Sequence, residues 1–189
     1  MCGFVGFIDE NDQTYDHRAA IVAMADAIAH RGPDSEGYFE DGRAALGFRR
    51  LAIIDLAGAN QPLYNENRSL VLVFNGEIYN YRELRRQLIA AGHAFSTQGD
   101  AEVVLHGFER WGAGVLDRLR GMFAFVVWDT KTNEMYGARD IFGIKPFYYT
   151  QTDAGELLFG SEIKSLLEHP GFRREVNAEA LRPYLTFQY

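Results

Sequence analysis

The apolar positions along this chain change period several times, and each change predicts an element. GFVGFID over 3–9 is almost unbroken apolar sequence, the pattern of a short buried strand. Over 16–30, Ile21, Met24 and Ile28 recur at helical spacing, and the RGPD at 31–34 is turn chemistry. Short strands are predicted around EGYFED and AALGFRRLAIID. SLVLVFNGEIYN (69–80) reads as a strong strand that runs into a polar loop. YRELRRQLIAAG (81–92) reads as a helix closed by Gly92. A further helix over 99–112 begins at Asp100, which is placed to cap or charge its N-terminus. Two hairpins follow, at 121–140 and across PFYYTQ and ELLFGSE, each with a polar turn. SEIKSLLEHP is a short helix stopped by Pro170, and 177–189 is helical.

This makes about eight strands and four or five helices, with the helices falling in pairs between groups of strands. That order predicts an α+β fold with antiparallel sheets and not a parallel doubly wound sheet. Two sheets packed face to face, with helices outside, fit the count.

Composition narrows the functional classes. The 189 residues suit one domain, and 47% hydrophobic with 24% charged is ordinary for a globular chain. A net charge of −7 argues against nucleic acid, whose partners are usually basic. There is no basic amphipathic helix and no stretch near the ~20 apolar residues of a membrane span, so no membrane is expected. The N-terminus lacks the basic region of a signal peptide. The single cysteine excludes a disulfide framework and a cysteine-based zinc cluster, and it fits a reducing, cytoplasmic setting. No metal-ligand set is assigned. His17, His30, His93, His106 and His169 are each read as surface or structural.

That one cysteine is the second residue. A thiol attacks as the thiolate, and an ordinary cysteine has a pKa of ~8.5, so it needs a base. If Met1 is removed, Cys2 carries a free α-amino group of pKa ~7.7–8.0, and one residue supplies both nucleophile and base. With Met1 retained, the amine is acylated and the base is lost. Gly3 and Gly6 are expected to let backbone approach the site closely. The bland alternative is a small buried hydrophobe.

Other runs carry candidates of their own. Asn75-Gly76 ends a buried strand. It is either an Asn-Gly turn or an oxyanion hole made of an Asn amide and the next backbone N–H. Arg49 and Arg50 lie inside an apolar run. Either guanidinium suits a carboxylate, but Arg49 is better read as a surface residue on an edge strand. Asp100 is either an N-cap or an anion for a ligand ammonium. Together the set describes an α-amino acid site: a cation, an anion, an oxyanion hole and a thiolate.

MCGFVGF, HRGPDSEGYF, RRLAIIDL, QPLYNENRSLVLVFNGEIYNY, GDAEVVLHGFERWG, LRGMFAFVVWD, ARDIFGIKPFYY and FGSEIKSLL closely resemble the glutaminase domain of glutamine-hydrolysing asparagine synthetases, class II N-terminal-nucleophile amidotransferases. The resemblance runs over nearly the whole chain, so 1–189 is expected to be one such domain. It implies the four-layer αββα sandwich of the N-terminal nucleophile hydrolases. It also implies that Cys2 forms a γ-glutamyl thioester and that Asn75 and Gly76 hold the oxyanion. Arg50 is then expected to bind the L-glutamine carboxylate, and Asp100 its ammonium with help from the Gly76–Glu77 region. Backbone groups of Ile53 and Ile54 line the pocket, and His30 and Asp34 give structural support. No cofactor is expected in this domain. ATP and Mg²⁺ belong to a synthetase domain, whose pyrophosphate loop is not in these residues and which acts in cis or in trans. A homodimer is compatible with this reading. Two alternatives stay open: another ammonia acceptor, in polysaccharide, spore-coat or antibiotic biosynthesis, and a non-catalytic domain of the same fold.

Overall fold

The computed structural model describes residues 1–10, 15–52 and 60–187. The chain order begins with β1 (Gly3–Ile8), α1 (His17–Asp26), β2 (Ser35–Glu40), β3 (Ala44–Arg50), β4 (Leu63–Tyr64) and β5 (Leu70–Ile78). It continues through α2 (Tyr81–Ala90), α3 (Ala101–Trp111), β6 (Gly121–Asp129), β7 (Glu134–Arg139), β8 (Tyr148–Gln151), β9 (Leu157–Gly160), α4 (Ile163–Leu166) and α5 (Ala178–Phe187). The strands form two antiparallel sheets, ordered β2-β3-β1-β9-β8 and β4-β5-β6-β7. Among the described residues no helix is long and apolar enough to cross a membrane.

Strand alternation sorts the side chains into three apolar layers. Phe4 and Ile8 of β1 and Leu46 and Phe48 of β3 meet Val71 and Val73 of β5 and Val126 and Trp128 of β6 between the sheets. The opposite faces of β1 and β3, through Val5, Phe7 and Ala45, pack on Ile21, Met24 and Ala25 of α1 and Leu166 of α4. The other side of β5, through Leu72, Phe74 and Ile78, packs on Leu84 and Leu88 of α2 and Val104 and Leu105 of α3. Helices therefore cover both outer faces, which is the expected αββα order.

Several local expectations change. The helix over 16–30 ends at Asp26 and tightens into a 3₁₀ turn at Ala29–Arg31, so Ile28 reaches the core from outside the regular helix. The strand over 69–80 does not turn at Asn75-Gly76: β5 continues to Ile78, with Asn75 opposite Ala124 and Gly76 opposite Phe123. β3 is an interior strand, so Arg49 is not on an edge. Its side chain faces α1, donating to the Ala25 carbonyl and pairing with Asp26 and Glu36.

Candidate active site

The same alternation aims the candidate chemistry. Cys2 precedes β1 and shares parity with Phe4, so its sulfur enters the space between the sheets, within 3.4 Å of both the N–H and the carbonyl of Leu51. Arg50 shares parity with Phe48 and Leu46 and points the same way, while Arg49 points to α1. Asn75 follows Val71 and Val73 on the facing strand. Cys2, Arg50, Asn75, Gly76, Glu77 and Asp100 consequently line one cavity of about 70 Å³ at a single end of the sheet pair. Ile53 and Ile54 lie outside the described residues.

The outer edge of β5 supplies its donors in a row. Phe123 spends its N–H and its carbonyl on Asp140, so the Gly76–Phe123 pair is not hydrogen-bonded across the ladder and the Gly76 N–H points away from β6. On that edge the Phe74 N–H donates to Gln61 Oε1 (2.6 Å) and the Ile78 N–H to Asp100 Oδ2 (2.8 Å). The Gly76 N–H stands between them. A β-carbon at Gly76 would lie 2.4 Å from the Met122 carbonyl oxygen, so only glycine fits beside β6. Asn75 is 2% exposed, and its Nδ2 is buried with no hydrogen-bond partner among the described residues. Buried amide donors are almost always paired, which sets this one apart.

Charge is arranged around these donors. Arg50 is buried, and its Nη1 donates to Asn60 Oδ1 at 3.1 Å. Asp100 occupies the N-cap position of α3, yet its carboxylate reaches back to β5 instead of capping the helix. Burial raises its pKa, against the opposing pull of backbone N–H donors. Glu77 is raised as well, first by burial and then by the Asp100 charge, while Lys145 lowers it.

Three residues reach this place that sequence reasoning did not single out. Lys145, buried, lines the cavity, and its Nζ lies 3.3 Å from the Met1 sulfur. Gln61 splints the β5 edge, donating to the Phe74 carbonyl while accepting its N–H. Arg31 donates from Nε to the Cys2 carbonyl (3.0 Å) and from Nη1 to Glu162 (2.9 Å). A β-carbon at Gly3 would meet the Arg31 side chain at 2.9 Å, and one at Gly6 would meet both the Phe159 ring at 2.4 Å and the Ala45 carbonyl oxygen of β3 at 2.8 Å, so the close backbone approach holds at Gly6 and not at Gly3. His30 and Asp34 sit further out, His30 against Glu162 and Asp34 accepting the Ala52 N–H. A thiol, a guanidinium, carboxylates and an unpaired amide around one hollow suit a small zwitterion whose far end carries a carbonyl.

A family model described as a glutamine amidotransferase domain matches residues 1–189. An asparagine synthetase [glutamine-hydrolyzing] of Bacillus subtilis is 47% identical over 191 residues, covering all of this chain and 30% of that protein. The asparagine synthetase of Asparagus officinalis is 42% identical over 166 residues, covering 88% of this chain and 28% of that protein. The chain thus spans under a third of the length of the relatives it matches. A solved glutamine phosphoribosylpyrophosphate amidotransferase of B. subtilis shares the fold, with a TM-score of 0.72 at 22% identity over 87% of this chain and 43% of that one.

Proposed function

The chain belongs to the glutamine amidotransferase domain family, and on that premise we propose that it splits the side-chain amide of L-glutamine into glutamate and ammonia through a γ-glutamyl thioester on Cys2. Loss of Met1 frees the α-amine and opens the cavity of which Met1 is now a wall. The amine takes the thiol proton, and the thiolate adds to the amide carbon. The new oxyanion sits between Asn75 Nδ2 and the Gly76 N–H. The terminal ammonium then protonates the departing nitrogen, which leaves as ammonia. Water, deprotonated by the same amine, attacks the thioester; glutamate departs and the thiol is restored. Arg50 pairs with the substrate α-carboxylate, and Asp100 and Glu77 with its ammonium. The thiol, the amine and water balance every step.

The observation that carries this reading is the unpartnered Asn75 Nδ2, buried in the cavity that also holds Cys2, Arg50 and Asp100. The ammonia passes to an ATP- and Mg²⁺-dependent synthetase domain, in cis or in trans, that amidates aspartate in the cytoplasm. The names of the matched relatives favour that acceptor over those of other pathways. The test couples intact mass to glutamate release: protein beginning at Cys2 turns over glutamine, while protein retaining Met1 and the Cys2→Ala variant do not. Full turnover by either of the last two overturns the scheme.

A further inference from the structure

Away from the cleft, three segments bring four ligating side chains together. Glu66 lies in the turn between β4 and β5, His93 follows α2, and His106 and Glu109 sit one turn apart on α3. His106 Nδ1 is 3.5 Å from Glu109 Oε2 and 3.6 Å from Glu66 Oε2. His93 Nδ1 is 3.5 Å from the same Glu109 oxygen and 3.9 Å from Glu66 Oε1. All four ligand atoms fall within 4.8 Å of one another. A tetrahedral zinc-type ion, with bonds of ~2.0–2.1 Å, holds its ligand atoms about 3.3–3.4 Å apart. The three spacings of 3.5–3.6 Å are close to that figure, and the others need the side chains to draw in slightly around an ion. They are long for hydrogen bonds between the same groups, which favour 2.7–3.2 Å.

Three of the four ligands are also oriented from behind. Glu109 Oε1 accepts from the buried Asn65 amide (3.0 Å), and Glu66 Oε1 from the Ala94 N–H (2.8 Å), which leaves both Oε2 atoms facing His106. His106 is 1% exposed, and its other nitrogen, Nε2, has no hydrogen bond but stands 3.5 Å from Glu102 Oε1. Glu102 is itself fixed by the N–H and hydroxyl groups of Ser96 and Thr97. A carboxylate behind an imidazole is the usual outer support of a metal-bound histidine.

We propose that Glu66, His93, His106 and Glu109 bind one zinc-class divalent cation, with Glu102 as the positioning residue behind His106. Four protein ligands make a closed, structural site. The ion ties the β4–β5 turn and the end of α2 to the helix whose N-terminus carries Asp100.

The test is Co²⁺ and Zn²⁺ titration of the purified protein in a Cys2→Ala background, because the terminal thiol is itself a zinc ligand. One Co²⁺ binds per chain, with the visible absorption of a tetrahedral nitrogen–oxygen site, and Zn²⁺ raises Tm. His93→Ala and Glu66→Gln, at partly exposed positions, each weaken Co²⁺ binding at least tenfold and abolish the Tm gain; Glu102→Gln weakens it about 10–100-fold. The proposal is overturned if the folded protein, checked by circular dichroism, shows no saturable binding. Binding that survives both His93→Ala and Glu66→Gln overturns it as well.

Discussion

Arg31 Nε donates to the Cys2 carbonyl at 3.0 Å, so the residue carrying the thiol is held by a guanidinium that Glu162 in turn anchors. The grip is on the backbone carbonyl and does not touch the sulfur. Arg31→Ala is expected to lower kcat about 10–100-fold with little change in KM, since misplacing a reacting group by about 1 Å costs on that scale. Steady-state kinetics on folded variant check this. An unchanged kcat would mean that β1 alone positions Cys2.

Asn75 separates activity from stability. Its Nδ2 is buried without a partner, so Asn75→Ala removes a group the fold gains nothing from satisfying. Glutamine turnover should fall about 10²–10³-fold while Tm stays level or rises. A large loss of Tm would show that the amide is structural.

On the proposed reading, Asp100 sets a pH dependence on glutamine binding. Burial raises its pKa above the ordinary 3.8, so the fold disfavours the charged form, and the stability tied to the neutral carboxyl is lost as pH rises from 3.8 through the raised value. The ammonium of glutamine favours the charged form. KM is therefore expected to climb as pH falls through that raised pKa, while the acid limb of kcat follows the terminal amine near pH ~7.7–8.0. In Asp100→Asn, KM should be high and flat with pH. A wild-type KM that is equally flat would remove Asp100 from the ammonium site.

Asp140 carries the opposite sign. Burial alone would raise its carboxyl, but the N–H groups of Ile144, Lys145, Phe123 and Phe142 hold it below the usual value. Its contribution is present above 3.8 and is lost as pH falls through the depressed folded pKa. Asp140→Ala strands buried donors and should cost about 3 kcal/mol, lowering Tm by roughly 6–12 °C. Thermal melts at neutral and acid pH check this: the gap to wild type should narrow below pH 3.8.

The layer order was legible because the strands and helices of this chain keep clean periods and the helices come in pairs. β4, only Leu63–Tyr64, is too short to show a period and was not foreseen. Arg49 is set apart from Arg50 in the sequence as a surface residue on an edge strand, but the strand parity that separates the two needs to know which face of β3 meets the second sheet. Lys145, Gln61 and Arg31 were invisible for a different reason. Each reaches the cleft from a loop or turn whose course depends on tertiary packing, as when Asp140 gathers the backbone of 142–145 beneath Lys145. The spread of Glu66, His93, His106 and Glu109 over three segments likewise hides any ligand spacing.

The cleft is a seam between two sheets. Cys2 and Arg50 ride on one, Asn75, Gly76 and Glu77 on the other. Sliding one sheet past its neighbour by a single strand position, about 3.3 Å, would carry the Cys2 sulfur clear of Asn75 and Gly76 with every strand still intact. The apolar filling of Phe4, Phe48, Val73 and Trp128 therefore acts as a gauge block, and a change of volume there detunes the chemistry at a distance while the molecule still looks whole.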